Sequence, residues 1–407
     1  MRPLYFLLPI AGALVSCTSS DDTVTPDTAF VDDTGTTTDT AFTDTNAADT
    51  VVDDIATDTV ATDTVVSTKT IIRVHYPAAG KTIALRGSIA PWSWDKGVAL
   101  TPSASDTWTL ETTLTADAEW KPLLDDATWA RGPNYKIKAG TTVDVYPHFT
   151  NIKGKVEKRW PAFTSTSVKT RGVWVYYPPT YLENTTARFP VVYMHDGQNL
   201  FDPTTAFGGA EWKVDETMDA ASEDGSIREA IIVGPENTSD RIAEYTPTKS
   251  ADYPGSGAGD AYLAMLVDEL KPKVDAELRT LPARETTAMI GSSLGGLISA
   301  YAGVKKPTTF GLIGAMSPST WWDSTAILKI VAATATKPLR IYVDSGDSGA
   351  SSDDKNNTKL LADAYRSLGF VDGTTLRYVV QAGATHTEAY WAQRLPGALG
   401  FLLGSGR

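Results

Sequence analysis

From about Val156 to the end of the chain, short apolar runs alternate with longer stretches of helical character. The runs read as strands: Gly172 to Tyr177, Pro190 to His195, Glu229 to Gly234, Thr286 to Gly291, Phe310 to Ser317, Leu339 to Asp344 and Thr375 to Val380. Between them, helices are expected near Glu211 to Ala221, Asp260 to Leu278, Ser293 to Val304, Asp323 to Ala332, Asn357 to Leu368 and His386 to Leu403. That alternation predicts an α/β architecture with helices on the faces of a sheet. From about Lys69 to Phe149 the pattern changes. Alternating runs at Thr70 to His75, Thr82 to Gly87, Trp108 to Leu114, Trp120 to Leu124 and Thr141 to Tyr146 are separated by turn residues and predict a small β-sandwich.

Composition divides the rest of the chain. Met1-Arg2-Pro3 followed by Leu4 to Val15 is a short basic start and an apolar run too short for a permanent membrane span, the pattern of a signal peptide. Residues 18 to 68 form a Thr/Asp tract with twelve aspartates and no Lys or Arg, so the tract carries almost all of the formal charge of −13. Such a segment has too little apolar surface to fold and its charges keep it extended, as in a tether. The expected organisation is therefore a leader at 1–17, a linker at 18–68, a β-sandwich at 69–155 and an α/β domain at 156–407. No basic patch with interleaved aromatics appears, which argues against a nucleic-acid partner. Cys17 is the only cysteine, so neither an intrachain disulfide nor a cysteine metal site exists.

The chemistry begins at Ala288 to Gly296, where an apolar strand runs into Gly291-Ser292-Ser293-Leu294-Gly295 and then into a helix. A serine on so tight a strand-to-helix turn needs glycine two positions before and after it, because side chains there would collide. The helix that follows aims its N-terminal amides at the place where an oxyanion forms during acyl transfer. Ser293 is the candidate nucleophile. Of the four histidines, His75 and His148 lie in the N-terminal region. The order serine, acid, histidine then selects His386, on a loop after the last strand, as the base. His195 reads as a residue shaping its own loop, with a second base as the other possibility.

The acid should follow the strand ending at Val343, where Asp344, Asp347, Asp353 and Asp354 stand within eleven residues. Counting forward from the strand favours Asp347, and counting back from the next helix favours Asp353; Asp347 is preferred. The oxyanion donors should be the amide of Leu294 and, from the turn after Val191 to Met194, that of Gln198.

Several segments together resemble known families. Leu14-Val15-Ser16-Cys17 matches the bacterial lipobox, which implies a lipid-modified Cys17 and a bacterial cell-envelope location, with Thr18 resembling outer-membrane sorting. Val192 to Asp202 with His195-Asp196-Gly197-Gln198-Asn199, Glu269-Leu270-Lys271-Pro272, Gly291 to Gly296, Ser317-Pro318-Ser319-Thr320-Trp321-Trp322 and His386 to Trp391 resemble the putative-esterase family. That group is similar to esterase D, carbohydrate esterase family one with its feruloyl and acetyl-xylan esterases, siderophore esterases and mycolyltransferases. The resemblance, over about residues 160 to 405, implies an α/β-hydrolase fold and the Ser293/His386 pair, and it leaves the acid open. Ala84 to Trp92 and Trp120 to Trp129 resemble starch- and glycogen-binding modules, with Ile89-Ala90 in place of the usual Phe-Asn. Trp92, Trp94 and Trp129 either stack on sugar rings or fill a small core.

These features predict a lipid-anchored serine esterase acting through an acyl-enzyme on feruloyl or acetyl esters of carbohydrate, without metal or organic cofactor. A siderophore esterase or an acyltransferase would use the same machinery, although no arginine cluster for a catecholate stands near the motifs. A glycan-binding surface lipoprotein with an inactive hydrolase domain is the non-enzymatic alternative. Oligomeric state is not legible.

Overall fold

The computed structural model describes residues 69–349 and 351–406; Cys17 and the Thr/Asp tract lie outside them. Residues 70–145 form nine short strands: β1 (Thr70–His75), β2 (Ile83–Gly87), β3 (Val98–Ala99), β4 (Thr101–Ala104), β5 (Thr107–Thr112), β6 (Ala118–Leu124), β7 (Thr128–Trp129), β8 (Tyr135–Ile137) and β9 (Thr142–Val145). One sheet has the order β4-β5-β1-β9, and a second joins β3-β2-β6-β7 with β8 also on β6. Alternation along β1 sends Thr70, Ile72 and Val74 inward. They meet Ile83, Leu85, Trp92, Trp120 and Leu124 in a single apolar cluster.

The rest of the chain builds one eight-stranded sheet. Its strands are β10 (Lys155–Phe163), β11 (Arg171–Tyr177), β12 (Val191–Met194), β13 (Ile231–Pro235), β14 (Thr287–Ser293), β15 (Leu312–Pro318), β16 (Arg340–Gly346) and β17 (Leu376–Gln381), in the order β10-β11-β13-β12-β14-β15-β16-β17. From β13 to β17 neighbours are parallel. All seven expected strands are present: β11 to β16 are buried on both faces and read as continuous apolar runs, while β17, at the edge of the sheet, is half-exposed.

Both faces carry helices. α1 (Pro179–Glu183) and α3 (Arg241–Glu244) are short. α4 (Gly259–Ala264) passes through a π turn at Met265–Leu270 into α5 (Lys271–Glu277). Pro272, without an N–H, follows directly on that wide turn. α4, α6 (Leu294–Lys305), α7 (Trp322–Ala332) and α8 (Lys355–Ser367) cover one face, contributing Leu263, Leu297, Val331 and Leu361 to its core. α2 (Val214–Asp224) and α9 (Glu388–Leu403) cover the other with Met218, Leu395 and Leu399. α6 is buried from Leu294 through Val304, as expected of a helix that is apolar or small all round.

The two-sheet region is tied to the large sheet at α1. Asn184 Nδ2 donates to the carbonyls of His75 and Pro147, each at 2.8 Å. Glu183 accepts from Tyr76 Oη at 2.7 Å and from the Phe149 amide at 2.8 Å, and His148 Nδ1 lies 2.8 Å from Thr180 Oγ1. His148 is thus a buried contact between the two parts.

Candidate active site

The chain leaves β12 for β13 on one side and returns to β14 on the other. The C-terminal ends of β12 and β14 are therefore the point of strand-order reversal, where open α/β sheets bind ligands. Ser293 ends β14 there with φ 57° and ψ −125°, a strained conformation for a residue with a side chain. The flanking glycines permit it. A Cβ on Gly291 would lie 2.7 Å from backbone atoms of Gly295 and 2.6 Å from His195 Cδ2. Leu294 opens α6, so its amide has no acceptor within the helix. Gln198 lies in the helical turn Gly197–Asn199 that follows Asp196, a left-handed residue. Gly197 lets this turn close on β13, since a Cβ there would stand 2.1 Å from the Gly234 carbonyl oxygen.

A cavity of about 460 Å³ opens at this place, and Ser293, His386 and Gln198 all line it. Its wall combines polar groups of Asp196, Asn237, Arg241 and Glu388 with the rings of Phe207, Trp212 and Trp391.

His386 Nδ1 donates to Asp353 Oδ1 at 2.5 Å. Asp353 Oδ2 accepts from the Ser317 hydroxyl at 2.6 Å and from the Gly346 amide. Burial raises the Asp353 carboxyl, but the hydrogen bonds from His386, Ser317 and Gly346 outweigh it and hold the group below its ordinary value. The preferred acid, Asp347, stands elsewhere: its Oδ1 accepts from the Gly383 amide at 2.8 Å and the Ser348 hydroxyl at 3.2 Å. The reason is the turn Ser352-Asp353-Asp354, three left-handed residues with φ from 48° to 52° that carry Asp353 back beneath the imidazole. Asp344 is spent on Arg394, whose Nε lies 2.9 Å from its Oδ2. Asp354 accepts from the Trp321 amide and from Asn357 Nδ2.

Sequence reasoning missed the support around Asp353. Ser317 Oγ accepts from Trp391 Nε1 at 3.0 Å and Arg394 Nη2 at 2.8 Å, so its single proton is directed to Asp353. Ser319, two residues on, donates its amide to the Ser293 carbonyl at 2.9 Å, and its hydroxyl lies 3.4 Å from Ser293 Oγ. The Ser317-Pro318-Ser319 segment held this information, but nothing in its spacing said which hydroxyl faces what.

On the other side, Arg241 clamps buried Asp196 with Nε and Nη2 at 2.7 and 2.8 Å, and Asn237 Nδ2 adds a contact at 2.6 Å. Burial raises Asp196, and the Arg241 charge more than offsets this and lowers it. His195 is fully buried, between Tyr262 Oη at 2.9 Å and Ser299 Oγ at 3.1 Å. Ser299 already donates to the Gly295 carbonyl, so it accepts from Nε2–H, and Nδ1 accepts from Tyr262. Burial pushes this imidazole down to about 3, which makes it a neutral structural group beneath the elbow.

Of the three tryptophans considered for sugar stacking, Trp92 is a core residue at 4 % exposure, packed over Gly87. Trp94 and Trp129 are exposed, with centroids 6.2 Å apart and the Arg86 guanidinium 5.4 Å from the Trp129 ring. The carboxylates of Glu211, Asp215 and Glu216 approach one another at the start of α2; burial first, then the Glu216 charge, raises Asp215 to about 7. Among the described residues no helix is long and apolar enough to cross a membrane.

Comparison with known proteins identifies the family. The putative esterase family matches residues 165–402. An uncharacterized Bacillus subtilis protein, YbbA, is 27 % identical over 246 residues, covering 57 % of this chain and 92 % of its own. The siderophore triacetylfusarinine C esterase of Aspergillus fumigatus is 29 % identical over 165 residues, 38 % of this chain and 53 % of that enzyme. An endo-1,4-beta-xylanase/feruloyl esterase of Xylanibacter ruminicola is 26 % identical over 227 residues, 54 % of this chain but 28 % of that protein. The family match takes in both strands that meet at the reversal point and every residue around Ser293 and His386, and the chain belongs to the putative esterase family, a carboxylic ester hydrolase of α/β fold.

Proposed function

We propose that the protein is a serine esterase that cleaves feruloyl or acetyl esters of carbohydrate through an acyl-enzyme, with Ser293, His386 and Asp353 as its triad. The observation that carries this reading is a serine held in a strained elbow that shares one cavity with a histidine anchored on a buried aspartate. Ser293 Oγ attacks the ester carbonyl as His386 Nε2 takes its proton. The amides of Gln198 and Leu294 receive the oxyanion, and His386 returns the proton to the leaving alcohol. Water activated by His386 then releases the acid. None of these steps draws on a metal or organic cofactor.

The carbohydrate assignment is supported by the feruloyl esterase among the relatives and by exposed Trp94 and Trp129. A siderophore ester is the second reading, favoured by the Aspergillus relative. Against it, the arginine in the cavity is already paired in bidentate fashion with Asp196, so its charge is spent. Location at the bacterial envelope through lipid on Cys17, with the Thr/Asp tract as spacer, follows from the lipobox resemblance.

Turnover of feruloylated, acetylated and siderophore esters, each against Ser293→Ala, tests the assignment. Faster cleavage of the siderophore ester would replace it. Ser293→Ala and His386→Ala should each cost orders of magnitude, and the double variant little more, because the two act as a unit. Cys17→Ser should move the protein from membrane pellet to supernatant; an unchanged pellet would refute the anchor.

A further inference from the structure

Two aromatic rings stand in solvent beside the nucleophile. Trp321 is 43 % exposed and Tyr253 38 %, with centroids 6.2 Å apart and planes inclined by 48°. Both lean on a third ring, Trp322, at 5.7 Å and 4.9 Å. Trp322 is buried, and its Nε1 donates to the Thr248 carbonyl at 3.1 Å. The outer rings are therefore fixed by packing before anything binds. Their exposed faces are apolar surface whose burial remains available to a ligand, at roughly 25 cal/mol per Å².

The place of this pair in the site is set by two bonds. Ser319, which touches Ser293 through its amide and its hydroxyl, lies two residues before Trp321, a reach of no more than about 7 Å along the chain. The Trp321 amide donates to Asp354 Oδ2 at 3.2 Å, and Asp354 follows the acid that carries His386. Neither ring lines the cavity that holds Gln198. In the proposed mechanism His386 hands its proton to the departing alcohol, and Trp321 is tied to the turn that carries the acid of this histidine.

We propose that Trp321 and Tyr253 form a subsite for a sugar ring in the alcohol half of the ester, an assignment that rests on the carbohydrate-ester reading above. A pyranose or furanose lays its C–H face on an indole while its hydroxyls stay in water. Rings exposed to solvent also leave the remainder of a polysaccharide in water, which an enclosed pocket would not.

The test uses two esters with the same acyl group: methyl ferulate, which has no sugar, and a feruloylated arabinoxylan oligosaccharide. Trp321→Ala should lower kcat/KM on the oligosaccharide about tenfold, chiefly through KM, and leave methyl ferulate within about twofold. Tyr253→Ala should act in the same direction, and Trp321→Phe should retain part of the effect. Tyr253→Ala carries the test alone if Trp321→Ala does not fold. Equal losses on both esters, or no loss on the oligosaccharide, would overturn the subsite while leaving the esterase intact. A wild type labelled at Ser293 by a fluorophosphonate yet inert on feruloyl and acetyl oligosaccharides would overturn the carbohydrate reading and the subsite with it.

Discussion

Replacing Asp353 by Asn removes a charge and keeps a shape, and the contacts decide how the new amide sits. The Oδ2 position faces two donors, the Gly346 amide and a Ser317 hydroxyl whose oxygen is already occupied by Trp391 and Arg394. Ser317 cannot turn round to accept, so the asparagine carbonyl must take that position and its NH2 must face His386 Nδ1. Nδ1 then accepts where it formerly donated, and the ring proton moves to Nε2, the nitrogen that has to receive the proton of Ser293. The expected loss in kcat is about 10²- to 10⁴-fold, or roughly 3–5 kcal/mol of transition-state stabilisation. Steady-state hydrolysis of p-nitrophenyl acetate measures it, with a thermal melt to show that folding is intact. Asp347→Asn is the paired control. An asparagine carbonyl still accepts from the Gly383 amide, so that variant should stay within about threefold of wild type. A large loss for Asp347→Asn with Asp353→Asn near wild type would refute the assignment of the acid and the tautomer argument together.

Phe207 is 79 % exposed at the rim of the cavity, between Asn199, which accepts from its amide, and two left-handed glycines. Phe207→Ala should leave the melting temperature unchanged and raise KM for aromatic acyl esters several-fold over acetyl esters, through lost ring contact; equal KM effects would count against it. Buried His195 protonates near 3 when folded and near 6.5 when unfolded, so its stabilisation is complete above about 6.5 and declines as pH falls towards 3. In an Asp215→Asn background, which removes the opposite contribution of a carboxyl raised to about 7, unfolding free energy should drop by roughly 2 kcal/mol between pH 8 and pH 5, above the range in which the lowered Asp353 and Asp196 titrate. A flat denaturant titration over that interval would contradict the burial argument. Asp344→Asn should destabilise the fold by up to about 3–5 kcal/mol, because it leaves Arg394 buried with only the more distant Asp353 as an ion-pair partner. In the folded fraction the acidic limb of kcat/KM should move to lower pH; a shift to higher pH would reverse the charge argument developed below.

The inner strands of the large sheet, β11 to β16, were legible because burial on both faces requires unbroken apolar runs, and the edge strand β17 because Tyr378, Val379 and Val380 give it β-propensity. β10 was not. Its Lys155, Glu157, Lys158, Arg159 and Pro161 are the marks of an edge strand that pairs on one side only. Within the site, Ser293 was legible because the elbow is local: its glycines and its helix adjoin it in sequence. His386 followed from the scarcity of histidines. Asp353 was not resolved, since its position depends on a left-handed turn that spacing does not encode, and counting from strand and helix gave different answers. Arg241, Asn237 and Arg394 reach the site from separate loops and helices and leave no joint pattern in the sequence. Trp92 stayed open between ligand stacking and core for a related reason: in a small two-sheet core the same indole serves either purpose, and its contact with Gly87 across the turn decides for the core.

The buried charges around the acid have a consistent logic. Arg394 approaches both Asp344, at 2.9 Å, and Asp353, at 3.9 Å. Were Arg394 free to pair with Asp353 alone, that carboxylate would be neutralised and would hold an imidazolium less firmly. Asp344 takes the guanidinium instead, and Ser317 relays only a neutral hydrogen bond from it to the acid. At rest the group of Asp344, Asp353, Arg394 and neutral His386 carries one net negative charge. In the transition state of the proposed mechanism His386 gains a proton and the same group becomes neutral. Charge that appears on the half-buried imidazole is therefore met by a buried group already one positive charge short, whose attraction is screened less than in water. The strained elbow places the nucleophile, and this arrangement makes the proton transfer that activates it favourable. That is why removal of Asp344, a residue that touches neither substrate nor histidine, should change the pH dependence of the reaction as well as the stability of the fold.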